Sequence, residues 1–145
     1  MSHHKSTTIV VRCPDDRYSP GEELEQILRE ILALENAEIH YAPNAFGGAL
    51  EFVVPETQTA WLWRFKIAGT LSPKIDRIII VNHTPTCGAV KAVYGEFATD
   101  EAEAQKHKEL LQLAADFIRQ HLKGVNILGY LHTTTRFDKI IDTHS

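Results

Sequence analysis

Short runs of β-branched and apolar residues recur along the chain between longer segments that have helical spacing. Residues 7–12, 77–81 and 125–131 are rich in valine, isoleucine and leucine, residues 37–41 alternate between apolar and polar, and these four segments predict strands. The run at 77–81 is almost continuously apolar, which is typical of a strand that is buried on both faces of a parallel sheet. The pattern therefore predicts a sheet that is covered on both sides.

Helical spacing of apolar residues predicts three helices between these strands, over residues 20–36, 88–97 and 100–122. Thr99 or Asp100 is the expected N-cap of the last helix, because its side-chain oxygen can accept a hydrogen bond from a backbone N–H of the first turn. The inner side of this helix is predicted to carry Leu110, Leu111, Leu113, Ala114, Phe117, Ile118 and Leu122.

Strands that alternate with helices predict an α/β fold, in three layers, with a mostly parallel central sheet and helices on both faces. Residues 137–141 are placed to pair back on the strand at 125–131, which gives an antiparallel C-terminal edge strand. Residues 57–71 fit either a helix or a strand. The chain of 145 residues has the size of one domain and no internal repeat, so a single domain over residues 1–145 is expected.

Composition and charge exclude several classes of function. With 43% hydrophobic and 23% charged residues, the chain has the composition of an ordinary soluble globular protein. A formal net charge of -4 and scattered basic residues argue against a nucleic-acid partner. No apolar run reaches the length of a membrane span, and the polar N-terminus does not resemble a secretory signal, so we expect a cytoplasmic protein without a membrane partner.

Both cysteines of the chain directly follow predicted strands, at Cys13 and, after His83, at Cys87. Thiols stay reduced in the cytoplasm, which favours a metal-binding or catalytic role over a disulfide. Two thiolates and one imidazole form the ligand set of a catalytic zinc site, whose fourth position stays open. Because sites in open α/β sheets lie beyond the carboxyl ends of the strands, we expect these three side chains to meet if their strands are central neighbours.

Simpler interpretations of the same residues remain open. Cys87 before Gly88 fits a small buried residue at the start of a helix, and Asp15 fits a turn cap. Arg17 fits a surface ion pair of little energetic value. A dithiol redox protein is a weaker third hypothesis, since the two cysteines lack the Cys-x-x-Cys arrangement.

Two motifs resemble those of the beta-class carbonic anhydrases. Cys13-x-Asp15-x-Arg17 resembles the Cys-x-Asp-x-Arg motif of that family, and a buried strand then runs into His83, Cys87 and Gly88, which resembles its His-x-x-Cys-Gly motif. The residues from Ile127 to His132 and from Phe137 to Ile140 are similar to its last strand and antiparallel return. The resemblance covers most of the chain from Cys13 to about Ile141, with residues 42–74 aligning poorly.

The resemblance implies a zinc lyase in which Cys13, His83 and Cys87 bind the ion. The ion lowers the pKa of its water from about 15.7 toward neutrality, and the resulting hydroxide attacks carbon dioxide in a reversible hydration to bicarbonate. Carbonyl sulfide and carbon disulfide are alternative small electrophiles. The resemblance also implies that Asp15 orients the hydroxide while Arg17 holds Asp15 ionised, or that Asp15 occupies the fourth zinc position with Arg17 released.

The chain departs from the family pattern in three places. His83 and Cys87 have three residues between them instead of two, so the loop must bulge to point both side chains at one ion. The long N-terminal helical arm is absent, since the first strand begins by about Thr8, and the segment from Tyr41 to Gly48 lacks the usual arginine. These departures keep a second hypothesis open, a non-catalytic binding or regulatory relative with an altered metal site. In a chain this short the site lies at the sheet edge and needs a second subunit to close the pocket. Apolar Phe46, Trp61 and Trp63 are available for that contact, so we expect at least a homodimer.

Overall fold

The computed structural model describes residues 7–13, 26, 28–30, 38–42, 45–68, 75–133 and 136–143. Within these residues, five strands form one sheet, in the spatial order β2-β1-β3-β4-β5. Their bounds are β1 (Thr7–Arg12), β2 (Glu38–Ala42), β3 (Ile75–His83), β4 (Asn126–His132) and β5 (Phe137–Asp142). The first four pair in parallel and β5 pairs antiparallel with β4, so the predicted mixed sheet is confirmed.

The helices that cover the sheet are α1 (Pro55–Ala68), α2 (Gly88–Tyr94) and α3 (Asp100–His121), with a short 3-10 helix at Gly48–Phe52. The segment that fitted either a helix or a strand is therefore helical, with Pro55 at its first position, where a missing N–H costs nothing. In α3 the hydroxyl of Thr99 accepts the N–H of Ala102 at 3.0 Å, which confirms Thr99 as the N-cap.

The two faces of the sheet are covered by separate clusters of side chains. Val11, Ile78 and Ile80 face the cluster formed by α1, α3 and the 3-10 helix. The alternate residues Val10 and Ile79 face the opposite side, where Leu28 packs from a helical stretch at Gln26 and residues 28–30. Period-two alternation with both faces buried explains why the run at 77–81 is apolar throughout. Most of the helix predicted over residues 20–36 lies outside the described residues.

The cluster on the α3 side is centred on Phe52, whose side chain is fully buried. Its ring centroid lies 4.6 Å from that of Trp61, 6.3 Å from that of Phe65 and 6.4 Å from that of Phe117. The prediction that Leu113 lies on the inner side of α3 is wrong, because its side chain is 50% exposed. The buried stripe of α3 instead contains Leu110, Ala114 and Ile118, at intervals of four residues, and Leu113 falls beside this stripe. None of the described helices is both long and apolar enough to cross a membrane.

Candidate metal centre at the ends of strands β1 and β3

The sheet order brings together the three side chains that the sequence marked as metal ligands. Cys13 directly follows β1, and His83 is the last residue of β3, its neighbour in the sheet, with Arg12 in register with Val81. Cys87 lies four positions further on, as the N-cap residue of α2. All three side chains are buried, and one donor atom from each lies within 4.8 Å of the other two.

The three-residue spacer between His83 and Cys87 folds back on itself. The Thr84–Pro85 peptide is cis, and Thr86 has φ of 63°, a left-handed conformation that is rare for a β-branched residue. The N–H of Thr84 donates to the carbonyl oxygen of His132 at 3.0 Å, which ties the start of the spacer to β4. The bulge expected from the extra residue between His83 and Cys87 thus lies within the spacer, and Cys87 still faces His83.

The donor set fits a zinc ion in chemistry and in size. A tetrahedral zinc ion with Zn–S bonds of about 2.3 Å holds two sulfur atoms roughly 3.8 Å apart. The atoms of Cys13, His83 and Cys87 lie within 4.8 Å of one another, so a contraction of at most roughly 1 Å closes them around an ion. Two sulfurs and one imidazole nitrogen are soft and borderline donors, which favour zinc over magnesium or calcium.

The thiols of Cys13 and Cys87 lie close enough for one to affect the ionisation of the other. A hydrogen bond with Cys13 and then burial raise the pKa of Cys87 far above its usual range, and the backbone N–H groups of Val90 and Ala89 offset only part of this. The thiol of Cys87 therefore stays protonated on its own. A divalent cation reverses this preference, because a coordinating thiol is deprotonated outright.

Glu103 is a site residue that sequence reasoning missed. It lies in the first turn of α3 and is buried, with an exposed fraction of 7%. Its Oε1 accepts the N–H of Thr86 at 3.0 Å and its Oε2 accepts the N–H of Cys87 at 3.0 Å. Burial raises the pKa of Glu103, but hydrogen bonds, chiefly from these two N–H groups, and the nearby His107 together lower it below its usual range, so the carboxylate is ionised at neutral pH.

A chain of hydrogen bonds behind Glu103 leads back to β3. The N–H of Ala49 donates to Oδ1 of Asn82 at 2.9 Å, so the amide nitrogen of Asn82 faces Nδ1 of His107, also at 2.9 Å. Neutral His107 then carries its proton on Nε2, which faces Oε2 of Glu103 at 3.4 Å. Burial is the main reason why the pKa of His107 is lowered to about 4, so the ring is neutral at physiological pH.

The 3-10 helix packs closely against this series of hydrogen bonds at Gly48. Gly48 has φ of 58°, and a Cβ atom at this position would overlap Oδ1 of Asn82 and lie 3.1 Å from the carbonyl oxygen of Val81. Glycine is the residue that permits both the left-handed conformation and the contact.

A pattern in the sequence would have located Glu103 and His107. They continue the buried stripe of α3 toward its N-terminus, at intervals of three and four residues before Leu110. Ionisable residues at core positions of an amphipathic helix must have buried partners.

The remaining predicted site residues have different outcomes. Asp15 and Arg17 lie outside the described residues. Trp61 is buried in the core and donates through Nε1 to Glu51 at 2.9 Å, whereas Phe46 and Trp63 are 62% and 63% exposed. Trp61 therefore belongs to the packing of α1, and the other two aromatic rings are available at the surface.

Comparison with known proteins yields a similarity in fold. No protein-family model matches the chain, and no curated protein matches it in sequence. A carbonic anhydrase from Glaciozyma antarctica has a similar structure, with a TM-score of 0.52 and 17% sequence identity over 92% of this chain and 81% of that chain. At this identity the similarity concerns the fold alone, an α/β fold shared with a carbonic anhydrase.

Proposed function

We propose that the protein is a zinc-dependent lyase that hydrates carbon dioxide reversibly to bicarbonate. The observation that carries the proposal is the convergence of Cys13, His83 and Cys87 from the ends of two neighbouring strands to within 4.8 Å. The fold that it shares with a carbonic anhydrase supports the same conclusion. These three residues would hold the ion and would leave a fourth position open.

A bound zinc ion would supply a Lewis acid that lowers the pKa of a water molecule toward neutrality. The chain itself would orient and confine the reactants. Asp15 would accept a hydrogen bond from the attacking water and orient its lone pair toward the carbon of carbon dioxide. Arg17 would hold the carboxylate of Asp15 ionised through a charge-assisted hydrogen bond. Both roles rest on the Cys-x-Asp-x-Arg spacing of the sequence.

Three further properties belong to the proposal. Carbonyl sulfide or carbon disulfide would suit the same site as alternative substrates. Two cysteines at a metal centre suit the reducing cytoplasm, where we place the protein. Exposed Phe46 and Trp63 support a homodimer or larger homo-oligomer, and sedimentation of a monomer at micromolar concentration would refute that part.

Metal content provides the direct test. Wild-type protein purified without chelator is analysed by elemental mass spectrometry together with the variants Cys87→Ser, His83→Gln and His132→Gln. His132 is a matched control, because it is buried at the register position beside His83 on β4 and is not part of the ligand group found among the described residues. We expect about one zinc per chain in wild type and in His132→Gln, and loss of zinc in the two ligand variants.

Stopped-flow hydration of carbon dioxide then follows on the zinc-loaded protein. Hydration that disappears in Cys87→Ser and persists in His132→Gln supports the proposal. Zinc without hydration would redirect the assay to carbonyl sulfide and carbon disulfide. A wild-type protein that binds no zinc would refute the lyase and leave the non-catalytic binding or regulatory relative as the explanation.

A further inference from the structure

The spacer between His83 and Cys87 presents two consecutive peptide N–H groups to one acceptor. In an extended chain such groups point in opposite directions, whereas a left-handed residue between them turns both to one side, as in an anion-binding nest. Thr86, with φ of 63°, is that residue. The N–H groups of Thr86 and Cys87 consequently both reach the carboxylate of Glu103, each at 3.0 Å.

We propose that Glu103 is a positioning residue for the metal centre. Its carboxylate holds the left-handed turn at Thr86 in place and thereby aims the thiol of Cys87 at the point where Cys13 and His83 lie. The inference rests on the proposed function, since it concerns the ligands named there. Glu103 acts through the peptide backbone and stands outside the ligand group itself.

The hydrogen-bond chain behind Glu103 makes this positioning rigid. Asn82 immediately precedes the ligand His83, and Glu103 binds the N–H of the ligand Cys87. His107 joins the two, through Nδ1 to Asn82 at 2.9 Å and through Nε2 to Glu103 at 3.4 Å. Buried side chains that hydrogen-bond one another in this way permit little rearrangement. The network therefore sets how far apart the backbones of the two ligands can lie.

The variant Glu103→Gln tests the inference with nearly unchanged side-chain volume. Its amide oxygen can accept one of the two N–H groups, but its NH2 group cannot accept the other. Glu101→Gln is the matched control, because it removes the same charge from the same first turn of α3 at an exposed position. Both variants are measured for zinc affinity by competition with a chromophoric chelator, and for the absorption spectrum of the cobalt(II)-substituted protein.

We expect Glu103→Gln to weaken zinc binding by about tenfold to a hundredfold, the range found when an outer partner of a metal ligand is removed. The thiolate-to-cobalt charge-transfer band should lose intensity or shift, because Cys87 is misdirected. Glu101→Gln should match wild type in both measurements. A merely structural role for Glu103 would lower the urea midpoint and leave the zinc affinity and the cobalt spectrum unchanged, and that result would overturn the inference.

The other outcomes are equally decisive. An equal loss in Glu101→Gln would assign the effect to helix charge and overturn the inference. If Glu103→Gln does not fold, His107→Phe replaces it as the test, because this variant keeps a ring of similar shape and removes the contact between His107 and Glu103. Zinc binding that is severalfold weaker supports the inference, and wild-type affinity overturns it.

Two results separate this inference from the proposed function. A wild-type protein that binds neither zinc nor cobalt refutes both. A zinc-loaded active protein whose Glu103→Gln variant is unaffected refutes the inference alone.

Discussion

Gly48→Ala tests whether the 3-10 helix holds Asn82 in place. The added Cβ atom would overlap Oδ1 of Asn82, the atom that accepts the N–H of Ala49 at 2.9 Å. The amide of Asn82 cannot turn away without losing its second hydrogen bond, to Nδ1 of His107 at 2.9 Å. The carbonyl oxygen of Val81, 3.1 Å from the added atom, limits movement on the backbone side. The substitution should therefore disrupt both hydrogen bonds of Asn82.

The expected loss of stability follows from two contributions. A left-handed alanine costs about 1–2 kcal/mol, of which the smaller entropy of the unfolded chain returns about 0.4–1 kcal/mol. Leaving the N–H of Ala49 and the ring nitrogen of His107 without their partner adds about 1–3 kcal/mol for each buried group. We therefore expect Gly48→Ala to lower the free energy of unfolding by about 2–7 kcal/mol.

Gly124→Ala separates the two contributions. Gly124 also has a left-handed φ, of 73°, but an added Cβ there meets no atom within 4 Å. This control should lose only about 1 kcal/mol. Equilibrium urea denaturation, followed by the fluorescence of the buried Trp61, measures both variants. If the two variants lose the same amount of stability, the contact with Asn82 carries no energy and the account of the hydrogen-bond chain is wrong.

Three further predictions concern the core, the cap and the pH dependence. Phe52→Ala should lower the free energy of unfolding by about 3–5 kcal/mol in urea denaturation, and Leu113→Ala, at an exposed position, by less than about 0.5 kcal/mol. Thr99→Ala should cost about 1 kcal/mol, and a loss near zero would remove the cap assignment. Because the pKa of His107 is lowered to about 4, the folded state resists its protonation, so its contribution to stability is complete above the usual histidine pKa and is lost as the pH falls toward 4. With chelator present, wild type should lose about 2 kcal/mol more than His107→Phe between about pH 7.5 and pH 5, and equal losses would contradict the assignment.

The strands and the residues at their carboxyl ends could be predicted from the sequence, because short β-branched runs indicate strands and a cysteine or histidine stands at the end of each run. The apolar run at 77–81 predicted a strand buried on both faces. Neighbouring parallel strands bring their carboxyl ends to one edge of the sheet, so Cys13 and His83 could be expected to lie close together. The spacer was less predictable. Its shape depends on the left-handed conformation of Thr86, which no local preference of threonine indicates.

The partners of buried polar groups were also beyond sequence reasoning. Glu103 and Thr86 are far apart in the chain, and only the packing of α3 against the sheet brings their atoms within 3.0 Å. The placement of Leu113 went wrong for a related reason. An apolar residue beside the buried stripe of a helix fits the helical spacing almost as well as the buried residues do. The width of the face that the sheet covers decides which of these residues is exposed. Asp15 and Arg17 remain predictions.

The pairing of β1 with β3 gives the proposed metal centre a second consequence. Cys13 and His83 are 70 positions apart in the chain, so an ion held by both acts as a cross-link that closes a long loop through the middle of the sheet. A ligand that binds only the folded chain adds about 4 kcal/mol of stability when its free concentration is a thousand times its dissociation constant. The supply of the ion would then govern how long the folded chain persists, in addition to the reaction proposed above.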